Sequence, residues 1–200
     1  LCIEINQYYD KDETAVCNLA NLCLPRFIKT TTDENGNKRL EFDYELLLKV
    51  TKIVTRNLDR VIDINYYPTK EAGVSNSKLR PIGLGVQGLA DVYKKFRHPY
   101  GSDEARLLNR KIFETIYYGA LQASNELAIK KGAYERFAGS PFSKGKLQFH
   151  MWGLKEENLL MGYDWDTLKQ SIQKHGVRNS LLTAVMPTAS NSQIMGNVEA

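Results

Sequence analysis

The chain has 200 residues, a formal net charge of +4, and 42% apolar and 25% charged residues. That is enough chain for one domain with a sizeable core, and the composition is ordinary for a globular protein. The Lys and Arg residues are scattered, which argues against nucleic acid as a partner; no apolar stretch approaches the roughly 20 residues of a membrane span; and three cysteines with no secretory leader favour a reducing, cytoplasmic setting.

In chain order, residues 1–28 open as a short extended segment, followed by a run over 17–24 that could be helical. Residues 30–39 are polar, with Asn35-Gly36 as a turn signal, and are expected as an exposed loop. Asp43 is a candidate N-cap for a long helix. Leu47, Val50, Val54, Leu58 and Val61 recur there at helical spacing and give one apolar stripe. Residues 63–67 read as a short extended run ended by Pro68, and 71–79 as a loop. Over 81–86, Ile82, Leu84 and Val86 alternate with Gly83 and Gly85, the pattern of a buried strand whose glycines permit close backbone approach.

A helix follows through Leu89, Val92, Tyr93 and Phe96. Ser102 can cap the next one, with Asp103 and Glu104 in its first turn. Its buried face is Leu108, Ile112, Ile116, Ala120, Ala123 and Leu127, and Gly132 ends it. Residues 133–161 read as irregular. Asp164 is expected to cap a helix that ends before Gly176. Residues 180–186 form an apolar strand, 187–192 a loop of small polar residues, and Gln193 starts another helix. Helices alternating with short buried strands argue an α/β fold.

The chemistry-bearing residues lie at the two ends of the chain. Cys2 and Glu4, at i and i+2 on an extended segment, point to one side and can reach one small substrate. A thiol beside a carboxylate offers redox chemistry beside proton transfer. Cys2 also reads as a small buried hydrophobe between Leu1 and Ile3, and Glu4 as a surface charge or a partly buried carboxyl of raised pKa. Cys17 reads as a core residue or as a second redox thiol. Cys23, in Leu22-Cys23-Leu24, reads as packing. The loop Pro187, Thr188, Ala189, Ser190, Asn191 reads as an ordinary turn, or as an anion site with hydroxyl and backbone donors at the start of a helix. The formal GxGxxG over 83–88 lies inside the buried strand and is not a dinucleotide fingerprint. His98, His150 and His175 are too far apart for ligand spacing, so no metal site is expected. Tyr66-Tyr67 and Tyr117-Tyr118 read as core or rim aromatics.

Five stretches in order resemble the large subunit of class I ribonucleotide reductase. They are Leu1-Cys2-Ile3-Glu4-Ile5 with Ala15-Val16-Cys17-Asn18-Leu19-Ala20; Asp63-Ile64-Asn65-Tyr66-Tyr67-Pro68; the strand and turn running from Arg80 to Asp91; Ile112 to Leu121; and Arg178 to Ser190. The resemblance spans nearly the whole chain. It implies a ten-stranded α/β barrel with the active cysteine on a central loop, of which these 200 residues are a central slice that folds poorly alone. Upstream effector-binding and downstream regions are expected to lie outside that slice.

It implies that Cys2 becomes a thiyl radical that removes the 3′ hydrogen of a ribonucleoside diphosphate. Glu4 then takes the 3′-hydroxyl proton, and Cys17 reduces the substrate together with an upstream thiol. Residues 187–191 hold the diphosphate; Asn191 stands where the family has threonine or serine. No cofactor is expected on this segment. A small subunit supplies a metal–tyrosyl radical, thioredoxin or glutaredoxin supplies electrons, and ATP, dATP and other effectors bind elsewhere on a homodimer or higher oligomer. The rival readings are an adenosylcobalamin-dependent reductase on the same barrel and a catalytically silent paralogue kept for assembly.

Overall fold

The computed structural model describes residues 4–200. Its frame is a short parallel sheet backed by helices. β1 (Leu19–Cys23) pairs in parallel with β4 (Gly83–Gln87), with Asn21 opposite Gly85 and Cys23 opposite Gln87. Residues 181–184 continue the sheet on the far side of β4, through a parallel bridge at Leu84–Thr183 and bonds from Ile82 N to Leu181 O and Leu84 N to Leu182 O. β4 is therefore central, and all five of its residues are buried. The described residues do not close a barrel; they form an α/β arc of parallel strands.

The stretch expected as a helix over 17–24 is instead β1, followed by a 3₁₀ turn at Leu24–Phe27 with Pro25 at its start. Pairing with β4 overrides the local helical pattern, as tertiary contacts commonly do. The polar stretch expected as a loop is an antiparallel hairpin of β2 (Ile28–Thr32) and β3 (Lys38–Phe42), with Gly36 at positive φ in its turn. Both strands are largely exposed, so alternation carried little signal there.

α1 (Tyr44–Ile64) starts at Asp43, whose carboxylate accepts from Leu46 N. It takes in Asp63 and Ile64, the first two residues of the run expected to be extended. Its buried face is Leu47, Thr51, Thr55, Leu58, Asp59 and Ile62, whereas Val61 of the expected stripe is exposed. Residues 71–79, expected as a loop, lie within α2 (Lys70–Leu79), which is capped by Thr69. α3 (Leu89–Phe96) and α4 (Asp103–Lys131, capped by Ser102) are as expected. A short α5 (Gln148–Met151) interrupts the irregular region, and α6 (Trp165–His175) starts at Asp164. α7 (Ala189–Met195) begins four residues earlier than the sequence pattern indicated.

Two apolar clusters hold these parts together. One joins Leu22, Leu84 and Val86 of the strands to Leu47, Val92, Leu108, Ile112 and Ile116. The other joins Leu58 and Ile62 to Leu121, Leu147, Phe149, Trp165 and Ile172. Because Leu84 and Val86 face the helices, Gly83, Gly85 and Gln87 face the opposite side of the sheet.

A polar layer lies beneath the strands. Arg80, at φ 47 just before β4, donates to Asp59 Oδ1 from Nε (3.0 Å) and Nη2 (2.8 Å), and to Asp63 Oδ1 from Nη1 (2.7 Å). Asn179, just before the third segment, donates to Asp59 Oδ1 and to Arg80 O, and accepts from Ser124 Oγ. Asn18, just before β1, donates to Asn76 Oδ1 at 2.9 Å and to Pro81 O at 3.0 Å.

Candidate functional site

The candidate site is built on the glycine face of β4. A Cβ placed on Gly83 would meet Leu19 Cδ2 at 2.6 Å, Ala184 Cβ at 3.1 Å and Ile5 Cδ1 at 3.9 Å. A Cβ on Gly85 would run into the backbone oxygen of Ala184, and would meet Asn21 Oδ1 at 2.9 Å and Met186 Cε at 3.0 Å. A side chain at Gly85 would push the 181–186 segment off the sheet, and one at Gly83 would crowd Leu19 and Ala184, whereas Ile5 lies at ordinary contact distance. Two segments far apart in sequence thus lie on one face: the one that follows Glu4, and the one that leads into residues 187–191. Gly83 and Gly85 are two residues apart, about 7 Å along the strand.

Cys2 lies outside the described residues. Glu4 is half-buried, and its neighbour Ile5 lies against Gly83. Cys17 is exposed, two residues before β1, and its Sγ accepts a hydrogen bond from Gln7 Nε2 at 3.1 Å. It is not in a helix. The neighbouring Asn18 ties the backbone beside it to α2 and Pro81 through the bonds given above. Cys23 is half-buried, and its thiol accepts from Asn197 Nδ2 at 3.0 Å.

Residues 187–191 are not all loop. Pro187 is exposed and Thr188 is the N-cap residue of α7, at φ 62 and ψ 22. Ala189, Ser190 and Asn191 form the first helical turn and are exposed. Their backbone N–H groups have no acceptor within the helix. Thr188 is β-branched, and a β-branched residue in the left-handed region is strained. Its side chain makes no capping bond, and its buried Oγ1 has no hydrogen-bond partner among the described residues. Asn21 Oδ1 and Gln87 Oε1 are likewise buried and unpartnered.

Three groups that matter here escaped the sequence reading. Glu13, Asn18 and Gln87 are each at least nine-tenths buried. Asn18 and Gln87 could have been noticed as polar residues inside apolar runs. Glu13, among Lys11, Asp12 and Thr14, carried no such sign. Among the described residues, no group of three or more His, Cys, Asp and Glu could hold a metal ion. Tyr117 is an interior aromatic whose hydroxyl accepts from Gln148 N at 2.9 Å, and burial pushes its pKa up. Tyr118 stacks on Tyr163 at 4.3 Å, whereas Tyr66 is exposed at the rim. Among the described residues, no helix is long and apolar enough to cross a membrane.

The ribonucleotide reductase barrel domain matches residues 1–200. The chain is 54% identical over all 200 residues to a protein of Plasmodium falciparum (isolate Dd2) named ribonucleoside-diphosphate reductase large subunit, covering 24% of it. It is 55% identical over 196 residues, 98% of the chain, to ribonucleoside-diphosphate reductase large chain 2 of Saccharomyces cerevisiae, covering 22% of that protein. A large subunit of Caenorhabditis elegans is 54% identical over the whole chain, which covers 24% of it. The chain thus spans about a quarter of the length of these relatives.

Proposed function

The chain belongs to the ribonucleotide reductase barrel-domain family, and from that premise we propose that it is the central part of the catalytic domain of a ribonucleoside-diphosphate reductase large subunit. One observation carries the reading beyond family membership. The glycine face of β4 brings the segment that follows Glu4 and the strand leading to the 187–191 turn onto one surface. A ribose at the first and a diphosphate at the second would belong to one substrate.

In this reading Cys2, as a thiyl radical, takes the 3′ hydrogen of the ribose and becomes a thiol. Glu4 accepts the 3′-hydroxyl proton, and the 2′-hydroxyl, protonated by one thiol of the reducing pair, leaves as water. Cys17 and a thiol upstream of this segment thus supply two electrons and two protons, the second proton going to the 2′ carbon, and become a disulfide; Glu4 returns its proton to the 3′ oxygen. Cys2 then returns its hydrogen to the 3′ carbon and is a radical again. The backbone N–H groups of Ala189, Ser190 and Asn191, with the hydroxyls of Thr188 and Ser190, take the diphosphate at the positive end of α7. The exposed side of that turn leaves room for it.

In this reading the oxidising equivalent that starts the cycle comes from a metal–tyrosyl radical in a small subunit. Thioredoxin or glutaredoxin would reopen the disulfide. ATP, dATP and other effectors would bind parts of the large subunit outside this segment, in a cytoplasmic homodimer or higher oligomer.

The test uses the full-length protein with its small subunit. Cys2→Ser should abolish deoxyribonucleotide formation while leaving diphosphate binding intact, and retained turnover would refute the radical role. Ser190→Ala should weaken calorimetric binding of a ribonucleoside diphosphate by about 1 kcal/mol, because backbone donors dominate. Ala189→Glu should all but remove binding by placing negative charge in the turn. Parent-like affinity in Ala189→Glu would exclude this turn as the phosphate site.

A further inference from the structure

The segment from Glu4 to Cys17 crosses the molecule with no helix or strand of its own. Something other than a backbone ladder must hold it in place. Its backbone makes a turn from Asp10 N to Glu13 O, and one tie to α2, from Thr14 N to Glu71 O at 3.2 Å. The side-chain anchor is Glu13. This carboxylate is 3% exposed, although carboxylates are almost never buried unless paired. Its Oε1 accepts from Lys78 Nζ of α2 at 3.1 Å and from Arg136 Nη2 in the turn after α4. Arg136 also reaches back to the same segment, its guanidinium 4.8 Å above the Tyr8 ring. The sites of Lys78 and Arg136 are joined in turn by the bond from Glu135 N to Lys78 O at 3.0 Å.

We infer that Glu13 is a positioning residue: one buried carboxylate, held between two cations from separate elements, sets where the segment bearing Glu4 and Cys17 lies against the strands. Both cations converge on Oε1, while the buried Oε2 has no partner among the described residues, so the hold on this carboxylate passes through a single oxygen. The arginine fork, shared between Glu13 and the Tyr8 ring, ties the early part of the segment to its later part. Cys17 follows four residues after Glu13. Displacing Glu13 would therefore move the thiol relative to Asn18, which is fixed to Asn76 and Pro81. The assignment rests on the reductase reading only for the reaction it serves; the anchoring itself is independent of it.

The experiment uses the full-length protein with its small subunit. In Glu13→Gln, single-turnover deoxyribonucleotide formation by the pre-reduced enzyme should slow by roughly a hundredfold, the scale on which an ångström of misplacement acts. The substrate KM should stay within about twofold, since Glu13 does not touch the diphosphate turn. Glu13→Asp, which keeps the charge, should recover about tenfold of that loss. A second readout needs no turnover: alkylation of Cys17 by iodoacetamide in reduced protein, read by mass mapping against Cys23. The Cys17-to-Cys23 rate ratio should change severalfold in Glu13→Gln. A parent-like single-turnover rate overturns the inference. Where the parent itself makes no deoxyribonucleotide, the reductase reading fails, and an unchanged alkylation ratio is then what overturns the anchoring. If Glu13→Gln does not fold, Arg136→Met and Lys78→Met, each leaving Glu13 one cation, take its place. Parent-like behaviour in both has the same meaning.

Discussion

The two ends of the parallel strands are built on opposite rules. Below the strands, Asp59, Arg80, Asn179, Ser124, Asn18 and Asn76 bond to one another across three helices and the three segments that enter the sheet. Even Asp59 Oδ2, which accepts no hydrogen bond, faces Lys131 Nζ at 3.7 Å. On the glycine face and beyond it, Asn21 Oδ1, Gln87 Oε1 and Thr188 Oγ1 are buried with no partner among the described residues. A buried polar atom left unpaired costs about 1–3 kcal/mol; in the lower layer the two such atoms, Asp59 Oδ2 and Arg178 Nε, each face an opposite charge, at 3.7 Å and 3.9 Å, whereas the three amide and hydroxyl oxygens above face none. The contrast fits the lower layer as scaffold and, on the function proposed above, the upper face as the place where polar groups meet the substrate.

The contrast can be broken most severely from below. Asp59→Ala in the full-length protein leaves Arg80 buried at 6% side-chain exposure with Asp63 as its remaining anion. Loss of one member of such a pair typically costs about 3–5 kcal/mol. Hydrogen exchange should show the amides of β4 and of residues 181–184 losing protection together. Protection unchanged within error would mean that the polar layer does not hold the strands.

Gly85→Ala attacks the upper face sterically. Its added methyl would collide with the backbone oxygen of Ala184 and lie against Asn21 Oδ1 and Met186 Cε, and forced overpacking of this kind costs about 1–3 kcal/mol or more. Activity should fall further than stability, because the segments that must meet on this face are pushed apart. An active enzyme of parent-like KM would remove the glycine face from the site.

A smaller effect of opposite sign is expected at Thr188. Thr188→Gly relieves a left-handed backbone at φ 62 and removes a buried unpaired hydroxyl. Protection of the α7 amides should rise by about 1 kcal/mol, while diphosphate affinity falls. Stability and affinity moving together would contradict the idea that strain is held there for binding.

The smallest effect tests a region away from both ends. Glu156 accepts from Lys169 Nζ at 2.6 Å and pairs with His150 Nε2 at 2.9 Å. The hydrogen bond from Lys169 is the main cause that lowers its pKa from 4.5 to about 2. A carboxyl depressed on folding contributes stability above its unfolded value, and that contribution is lost as pH falls through the folded one. Segment 148–165 should therefore loosen between pH 4.5 and about 2. Glu156→Gln should flatten this dependence, as seen by hydrogen exchange of those amides, with the β4 amides as an unmoved reference.

Much of this frame could be read in advance. Ser102, Asp43 and Asp164 announced three helices, and the alternation of Ile82, Leu84 and Val86 with glycine announced the central strand. Local chemistry writes such signals directly: a cap is one side chain and one N–H, and a strand's period is two. β1 was misread because five residues such as 19–23 have too few side chains to separate a period of 2 from 3.6, and pairing with β4 decided the outcome. α2 was missed because its buried residues are Ala72, Ser75, Asn76 and Leu79, only two of them apolar, so no stripe was visible.

The family likeness, the cap positions, the candidate residues Glu4, Cys17 and 187–191, and the α/β class were all present in the order of the residues. Each depends on groups a few positions apart or on whole motifs. What only the tertiary structure decided was which distant groups share a surface. Gly83 and Gly85 came to share one face with Ile5 and Met186, Asp59 found Arg80 and Asn179, and Glu13 found Lys78 and Arg136. Those pairings span up to 123 positions, and a charge or a glycine carries no mark of which partner it will meet. Burial decides that, because a buried charge or an unfilled approach is tolerated only where the fold brings its complement.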